Sequence, residues 1–156
     1  MICGIDPGLS GGIAFFNCFK LDVYEMPVIP IVVGKFKRRI INLPELHAII
    51  SSQKKLDLCV IEKQAPLPNQ GVTSTFKTGL GYGILLGIGT CFFNQILEVR
   101  PQTWKKDLGI SANKDEARAK ASELFPRYSH LWQRKKDDGL AEAALIAYWG
   151  KNYAKH

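Results

Sequence analysis

No two cysteines in this 156-residue chain stand at C-x-x-C spacing. Cys3, Cys18, Cys59 and Cys91 are widely separated and lie in apolar surroundings, which argues against a zinc site or a dithiol redox motif. They read as reduced, core-filling thiols of a cytosolic protein. No run approaches the roughly 20 apolar residues that a bilayer span needs, so no membrane segment is expected. The first residues lack the basic stretch and long apolar centre of a signal peptide, which agrees with a cytoplasmic location. Internal repeats and low-complexity linkers are missing as well, and the length suits one domain over residues 1–156. Acidic residues are scarce relative to basic ones, 14 against 21, leaving a net charge of +7. An excess of that size in a small domain suits a polyanion such as nucleic acid. The basic residues also cluster, at Lys35-Phe36-Lys37-Arg38-Arg39, from Arg100 to Lys106, and at Arg134-Lys135-Lys136.

What is present is a small set of acids in informative places. The chain opens Ile2-Cys3-Gly4-Ile5-Asp6-Pro7-Gly8-Leu9-Ser10-Gly11-Gly12. An apolar run cut off by proline and glycine reads as a buried strand that delivers Asp6 to its C-terminal end. A carboxylate placed there is half desolvated and needs a positive neighbour to stay ionised, and a divalent metal is the simplest one. A turn-capping Asp would look the same in isolation. Leu58-Cys59-Val60-Ile61 repeats the pattern and ends in Glu62.

Residues 2–6, 12–16 and 21–26 read as a three-stranded antiparallel meander, with a turn at 17–20. Residues 27–42 read as a basic connection punctuated by proline. A helix is expected over 43–52, with Pro44 in its first turn. A strand over 56–62 and a Pro/Gly-bearing loop over 63–71 come next. Residues 72–93 follow a helical spacing in which Gly79, Gly83 and Gly87 line one face. Each glycine weakens a helix by about 1 kcal/mol relative to alanine, so close packing on a sheet or on a partner chain must offset them. A strand over 96–99 and helices over 101–108, 111–125 and 138–148 complete the chain, with Asn113 as a cap. This order predicts an α/β fold: a mixed central sheet, meander plus parallel strands, flanked by helices.

Parallel neighbours present their C-terminal ends on one edge of a sheet, so Asp6 and Glu62 are expected to meet. A third acidic group lies in Asp137-Asp138-Gly139-Leu140-Ala141-Glu142. Asp138 suits an N-cap, and Glu142 falls one turn later on the same face. Their repulsion in a helix would be relieved by a bound cation. An ordinary acidic helix start, favoured by the helix dipole, is the other reading. Taken jointly, the acids and the basic surround fit a two-metal phosphodiester site, in which hard cations take carboxylate oxygens and Lys and Arg hold the nucleic-acid backbone.

Here the sequence resembles the RuvC-like Holliday-junction resolvases, in the phage-type branch of the RNase H-like superfamily. The resemblance runs over nearly the whole chain. It rests on Gly4-Ile5-Asp6-Pro7-Gly8, on Val60-Ile61-Glu62, and on Gln70-Gly71-Val72-Thr73-Ser74-Thr75-Phe76-Lys77 leading into the glycine-studded helix. Val99-Arg100-Pro101 with Lys114, and Asp137-Asp138-Gly139-Leu140-Ala141-Glu142-Ala143, continue it. It implies an RNase H-like fold, a homodimer, and paired nicking of four-way DNA junctions by an endodeoxyribonuclease with two Mg²⁺ ions per site, or Mn²⁺ in their place. It puts the metal ligands on Asp6, Glu62, Asp138 and Glu142. The last two are four residues apart where resolvases often space them by three, so Asp137 stands as an alternative to Asp138. It puts the basic residue near the scissile phosphate on Lys114, and implies DNA contacts at Ser74, Lys77, Arg100, Lys105 and Lys106. The DNA-distorting element falls near residues 68–77, where Phe76 is the aromatic available as a wedge or as core.

Other functions share parts of this pattern. A related RNase H-like nuclease could act on other branched DNA or on RNA. A catalytically silent nucleic-acid-binding domain would not need Asp6, Glu62 and Asp138 all intact. Sugar kinases and actin-like ATPases carry a similar early turn but need two such domains, and this chain has room for one.

Overall fold

A computed structural model describes residues 1–66 and 68–154. Its frame is a five-stranded sheet. β1 (Ile2–Asp6), β2 (Gly12–Phe16) and β3 (Leu21–Glu25) form the expected antiparallel meander. β6 (Leu58–Glu62) and β7 (Gln95–Val99) add in parallel on the far side of β1, giving the order β3-β2-β1-β6-β7. Strand side chains alternate between faces, so each strand contributes to two cores. Ile2, Ala14, Leu58 and Val60 pack under α4 (Lys114–Leu124) and α5 (Asp138–Asn152). Cys3, Ile5, Ile13, Phe15, Cys59 and Ile61 pack under α1 (Leu43–Ser51) and α2 (Val72–Phe92). A short α3 (Pro101–Asp107) follows β7. Among the described residues no helix is long and apolar enough to cross a membrane.

α5 sits unusually deep, and small residues are the reason. A Cβ added to Gly4 on β1 would come within 2.3 Å of the Ala147 backbone nitrogen and 2.4 Å of the Ala143 carbonyl oxygen. The backbones of strand and helix therefore touch, and alanines 141, 143, 144 and 147 fill the space around that contact. We expect Gly4→Ala to push α5 off the sheet. Overpacking of this kind typically costs about 1–3 kcal/mol, and here the obstacle is backbone, which cannot rotate away. A urea melt of the variant beside the wild type measures the loss, and an unchanged midpoint would contradict the close contact.

Three expectations need correction. Residues 27–42 are not a plain connection: β4 (Val28–Val33) and β5 (Phe36–Ile41) pair as a hairpin outside the main sheet. Pro30 is tolerated because a two-stranded ribbon has only edges. Second, Asp138 does not cap α5. It is the first helical residue, and Asp137 occupies the cap position after two 3₁₀ turns, Pro126–Trp132 and Lys135–Asp137. Third, only Cys3 and Cys59 are buried; Cys18 and Cys91 are exposed. The Asn113 cap is as read from the sequence, with its side chain accepting the Asp115 amide at 2.8 Å.

Candidate active site

Asp6 and Glu62 follow directly on the last registered pair of β1 and β6, Ile5 opposite Ile61. The two strand-end acids thus leave the sheet side by side. Backbone packing brings the third acidic group to them. A Cβ on Gly139 would lie 2.5 Å from the Gly11 Cα and from the Ser10 carbonyl oxygen, so the start of α5 rests directly on the turn that follows Asp6. Gly11 cannot carry a side chain either, since its Cβ would meet the Asp6 carbonyl oxygen at 2.2 Å. Glycines on both sides of this contact set Asp138 and Glu142 beside the sheet edge.

The electrostatics record the convergence. The Asp6 carboxyl is pushed up to about 7, first by burial and then by the negative charges of Glu142 and Glu62. The Gly8 amide, 3.4 Å from Asp6 Oδ1, and the Lys114 ammonium oppose this only in part. Glu62 is raised too, mainly by burial, against the indole N–H of Trp104, which donates to its Oε2 at 2.9 Å. Gln64 donates to the other Glu62 oxygen at 3.5 Å. Glu142 is buried and accepts from Lys105 Nζ at 2.8 Å. Asp138 lies between Lys114 Nζ at 3.8 Å and Arg118 Nε at 3.3 Å, and its Oδ1 is buried without a hydrogen bond of good geometry. In this arrangement no three acidic, histidine or cysteine side chains among the described residues form a group able to hold a metal ion. Glu62 and Glu142 are instead turned to donors supplied by α3.

Asp137 is used differently. Arg134 grips it with Nε at 2.8 Å and Nη2 at 3.1 Å, and the Arg134 amide adds a third bond at 3.3 Å. These bonds close the turn before α5, which leaves Asp138 as the acid facing Lys114.

Of the basic residues singled out from sequence, Arg100 lines a cleft of about 690 Å³ that runs from Glu62 past Lys63 and Thr103. Lys106 and Lys77 are exposed, and Lys114 keeps 62% of its side chain in solvent beside Asp138. Ser74 is exposed and accepts from Gln70 Nε2 at 3.2 Å. Lys105 is mostly covered, its ammonium committed to Glu142. Phe76 is not core, being 70% exposed. Sequence reasoning missed Trp104, Lys105 as a carboxylate partner, and Arg118. For Trp104 and Lys105 the only signal was a buried-type aromatic next to basic residues in Thr103-Trp104-Lys105-Lys106; Arg118 carried none.

No family model matches the chain. A curated relative, the chloroplastic Holliday junction resolvase MOC1 of Chlamydomonas reinhardtii, is 38% identical over 95 residues. That match covers 57% of this chain, which spans about 10% of the relative's length. Among solved structures, T. thermophilus RuvC in complex with a Holliday junction substrate superposes with a TM-score of 0.61 at 16% identity, covering 96% of this chain and 94% of that one. A second Thermus thermophilus RuvC structure gives 0.51 at 16% identity, over 96% and 95% of the two chains. The order β3-β2-β1-β6-β7, the helices on both faces and the superposition over nearly the full length establish that this chain has the RuvC-like, RNase H-like fold.

Proposed function

We propose that the chain is a metal-dependent endonuclease that nicks four-way DNA junctions as a homodimer, with residues 1–156 forming one nuclease unit. The observation that carries this reading is geometric: Asp6 and Glu62 end adjacent parallel strands, and the start of α5, which bears Asp138 and Glu142, rests on the turn that follows Asp6. The Asp6 carboxyl, pushed up to about 7 first by burial and then by Glu142 and Glu62, agrees with it. The donor set fits a divalent cation: every candidate ligand is a hard carboxylate, and one buried oxygen of Asp138 lacks a hydrogen bond. Asp6, Glu62, Asp138 and Glu142 would hold two Mg²⁺ ions, or Mn²⁺. Bound there, such ions lower the pKa of an attacking water and stabilise the leaving oxygen.

The chain's own side chains do the rest. Trp104 fixes the rotamer of Glu62. Lys105 neutralises Glu142 and must release it for Glu142 to serve as a ligand. Lys114, exposed beside Asp138, would meet the phosphate being cut. Arg100, Lys106, Lys77 and Ser74 lie at the surface, where backbone phosphates can be held. The relative named a Holliday junction resolvase and the RuvC complex with junction DNA support a branched substrate. The deciding test is cleavage of a mobile-core four-way junction beside a matched duplex. Paired, symmetric nicks in the junction are expected, and cutting of both substrates alike would remove the junction selectivity.

A junction offers two symmetric strands, and one site per chain asks for two chains. The face of α2 carrying Gly79, Gly83 and Gly87 suits that role, because a Cβ at any of the three meets nothing within 4 Å. The face does not pack on its own sheet. Gly83→Leu should therefore fold at least as well as the wild type, gaining up to about 1 kcal/mol of helix propensity. It should also sediment as a monomer where the wild type is a dimer; a dimer of unchanged strength would place the interface elsewhere.

A further inference from the structure

The hairpin of β4 and β5 supplies none of the acids or cations of the site described above, yet its composition is unusual. No acidic residue occurs from Met26 to Pro44, while Lys35, Lys37, Arg38 and Arg39 fall within five positions. Its tip is also apolar and wet: Val32 is 72% exposed and Phe36 57%, with Lys35 Nζ 5.7 Å from the Phe36 ring. A two-stranded ribbon is marginal in water by itself, so its root must hold it. Ile41 is buried in the core under α1 and α2, and Asn42 donates its amide to the Pro27 carbonyl at 2.9 Å. The root also touches the site. Arg39 Nη2 lies 3.2 Å from Ser10 Oγ, in the turn that follows Asp6. Beside it, a cleft of about 200 Å³ is lined by Ser10, Arg39 and Lys136, with Glu25 and Asp137 on the same wall.

We propose that this hairpin is a second DNA contact, with Lys35 and Lys37 on phosphates and Phe36 against an unstacked base at the branch point. The proposal rests on the nuclease reading above. Cations interleaved with an exposed aromatic ring match the two surfaces of unpaired nucleic acid, charged backbone and apolar base face. A closed duplex offers only the first, so the lysines supply general affinity and Phe36 supplies preference for a branched substrate. An anionic lipid surface would satisfy the same tip chemistry. The attachment of the root to the turn after Asp6 favours DNA.

The test is fluorescence anisotropy in EDTA, so that nothing is cut, with a four-way junction and a linear duplex of matched length. K35Q/K37Q should lower the salt slope of binding to both DNAs by about 2, at roughly 0.9 per phosphate contact. F36A should weaken junction binding about 5- to 150-fold, the range for loss of one stacked base, and leave duplex binding unchanged. Both variants alter exposed side chains, and their melting temperatures should match the wild type. Unchanged slope and unchanged selectivity would overturn the proposal. So would loss of binding to phosphatidylserine-containing vesicles with DNA binding intact, which would make the tip a membrane contact. If the wild-type chain itself fails to bind the junction, the nuclease reading falls rather than the hairpin's part in it.

Discussion

Asp6→Asn should leave the protein folded and bound to junction DNA while reducing nicking by at least about a hundredfold, the upper end of what losing even an outer partner of a metal ligand costs. The fold has little invested in the charge. Asp6 accepts one long bond from the Gly8 amide, which an asparagine oxygen can accept equally. Its neighbours Glu142 and Glu62 repel it. Removing the charge should in fact raise the melting temperature above pH 7 in metal-free buffer, and should tighten DNA binding there by removing one repulsion with phosphate. Glu62→Gln should behave alike, since Gln can still accept the Trp104 indole. Wild-type nicking by Asp6→Asn would show that the reacting phosphate sits elsewhere. A variant that loses DNA binding and nicking together would show that Asp6 shapes the surface rather than the chemistry.

The residues that carry this prediction were legible from sequence for a physical reason. Asp6 and Glu62 each end a continuous apolar run, and such a run has few ways to be buried other than as an inner strand. Both inner strands are now observed, in parallel and in register. The meander and the helices were legible through proline, glycine and Asn113 at their ends. The hairpin of β4 and β5 was not, because Val28-Ile29-Pro30-Ile31-Val32-Val33 alternates neither with polar residues nor with burial, and its ribbon stands outside the main sheet. The start of α5 at Asp138 was legible, but its cap was misjudged by one residue, since two adjacent aspartates can each cap a helix. The 3₁₀ turn that Arg134 closes on Asp137 decides that Asp137 takes the cap position, while its side chain stays with Arg134. The partners of Glu62 and Glu142, 42 and 37 positions away in the chain, are set by where α3 lands on the sheet, and local spacing carries no trace of that.

Removing divalent metal should abolish nicking, and the same acids should make stability depend on metal in a pH-dependent way. The Asp6 carboxyl stands near 7 in the folded chain against 3.8 for the ordinary group. A raised acid means that the folded form holds a proton which the unfolded form has already lost between those values. Stability of the metal-free protein therefore falls as pH rises from about 4 to about 7 and levels off above that, by a few kcal/mol at most for one such group. Glu62, raised as well, acts in the same direction. Exposed acids that are lowered on folding, such as Glu116 with its bond from the Ser111 amide, act oppositely, so the raw slope mixes several groups. The difference between the wild type and Asp6→Asn isolates the site. That difference should favour the variant increasingly up to pH 7. Mg²⁺ should raise the melting temperature of the wild type strongly at pH 8, where the acids are ionised, and little at pH 5, where Asp6 is protonated and a cation must displace the proton. Nicking should stop in EDTA and return with Mg²⁺ or Mn²⁺. Equal Mg²⁺ stabilisation at both pH values, or the same pH slope in the variant, would separate the cluster from the metal; full cleavage in chelator would end the metal mechanism altogether.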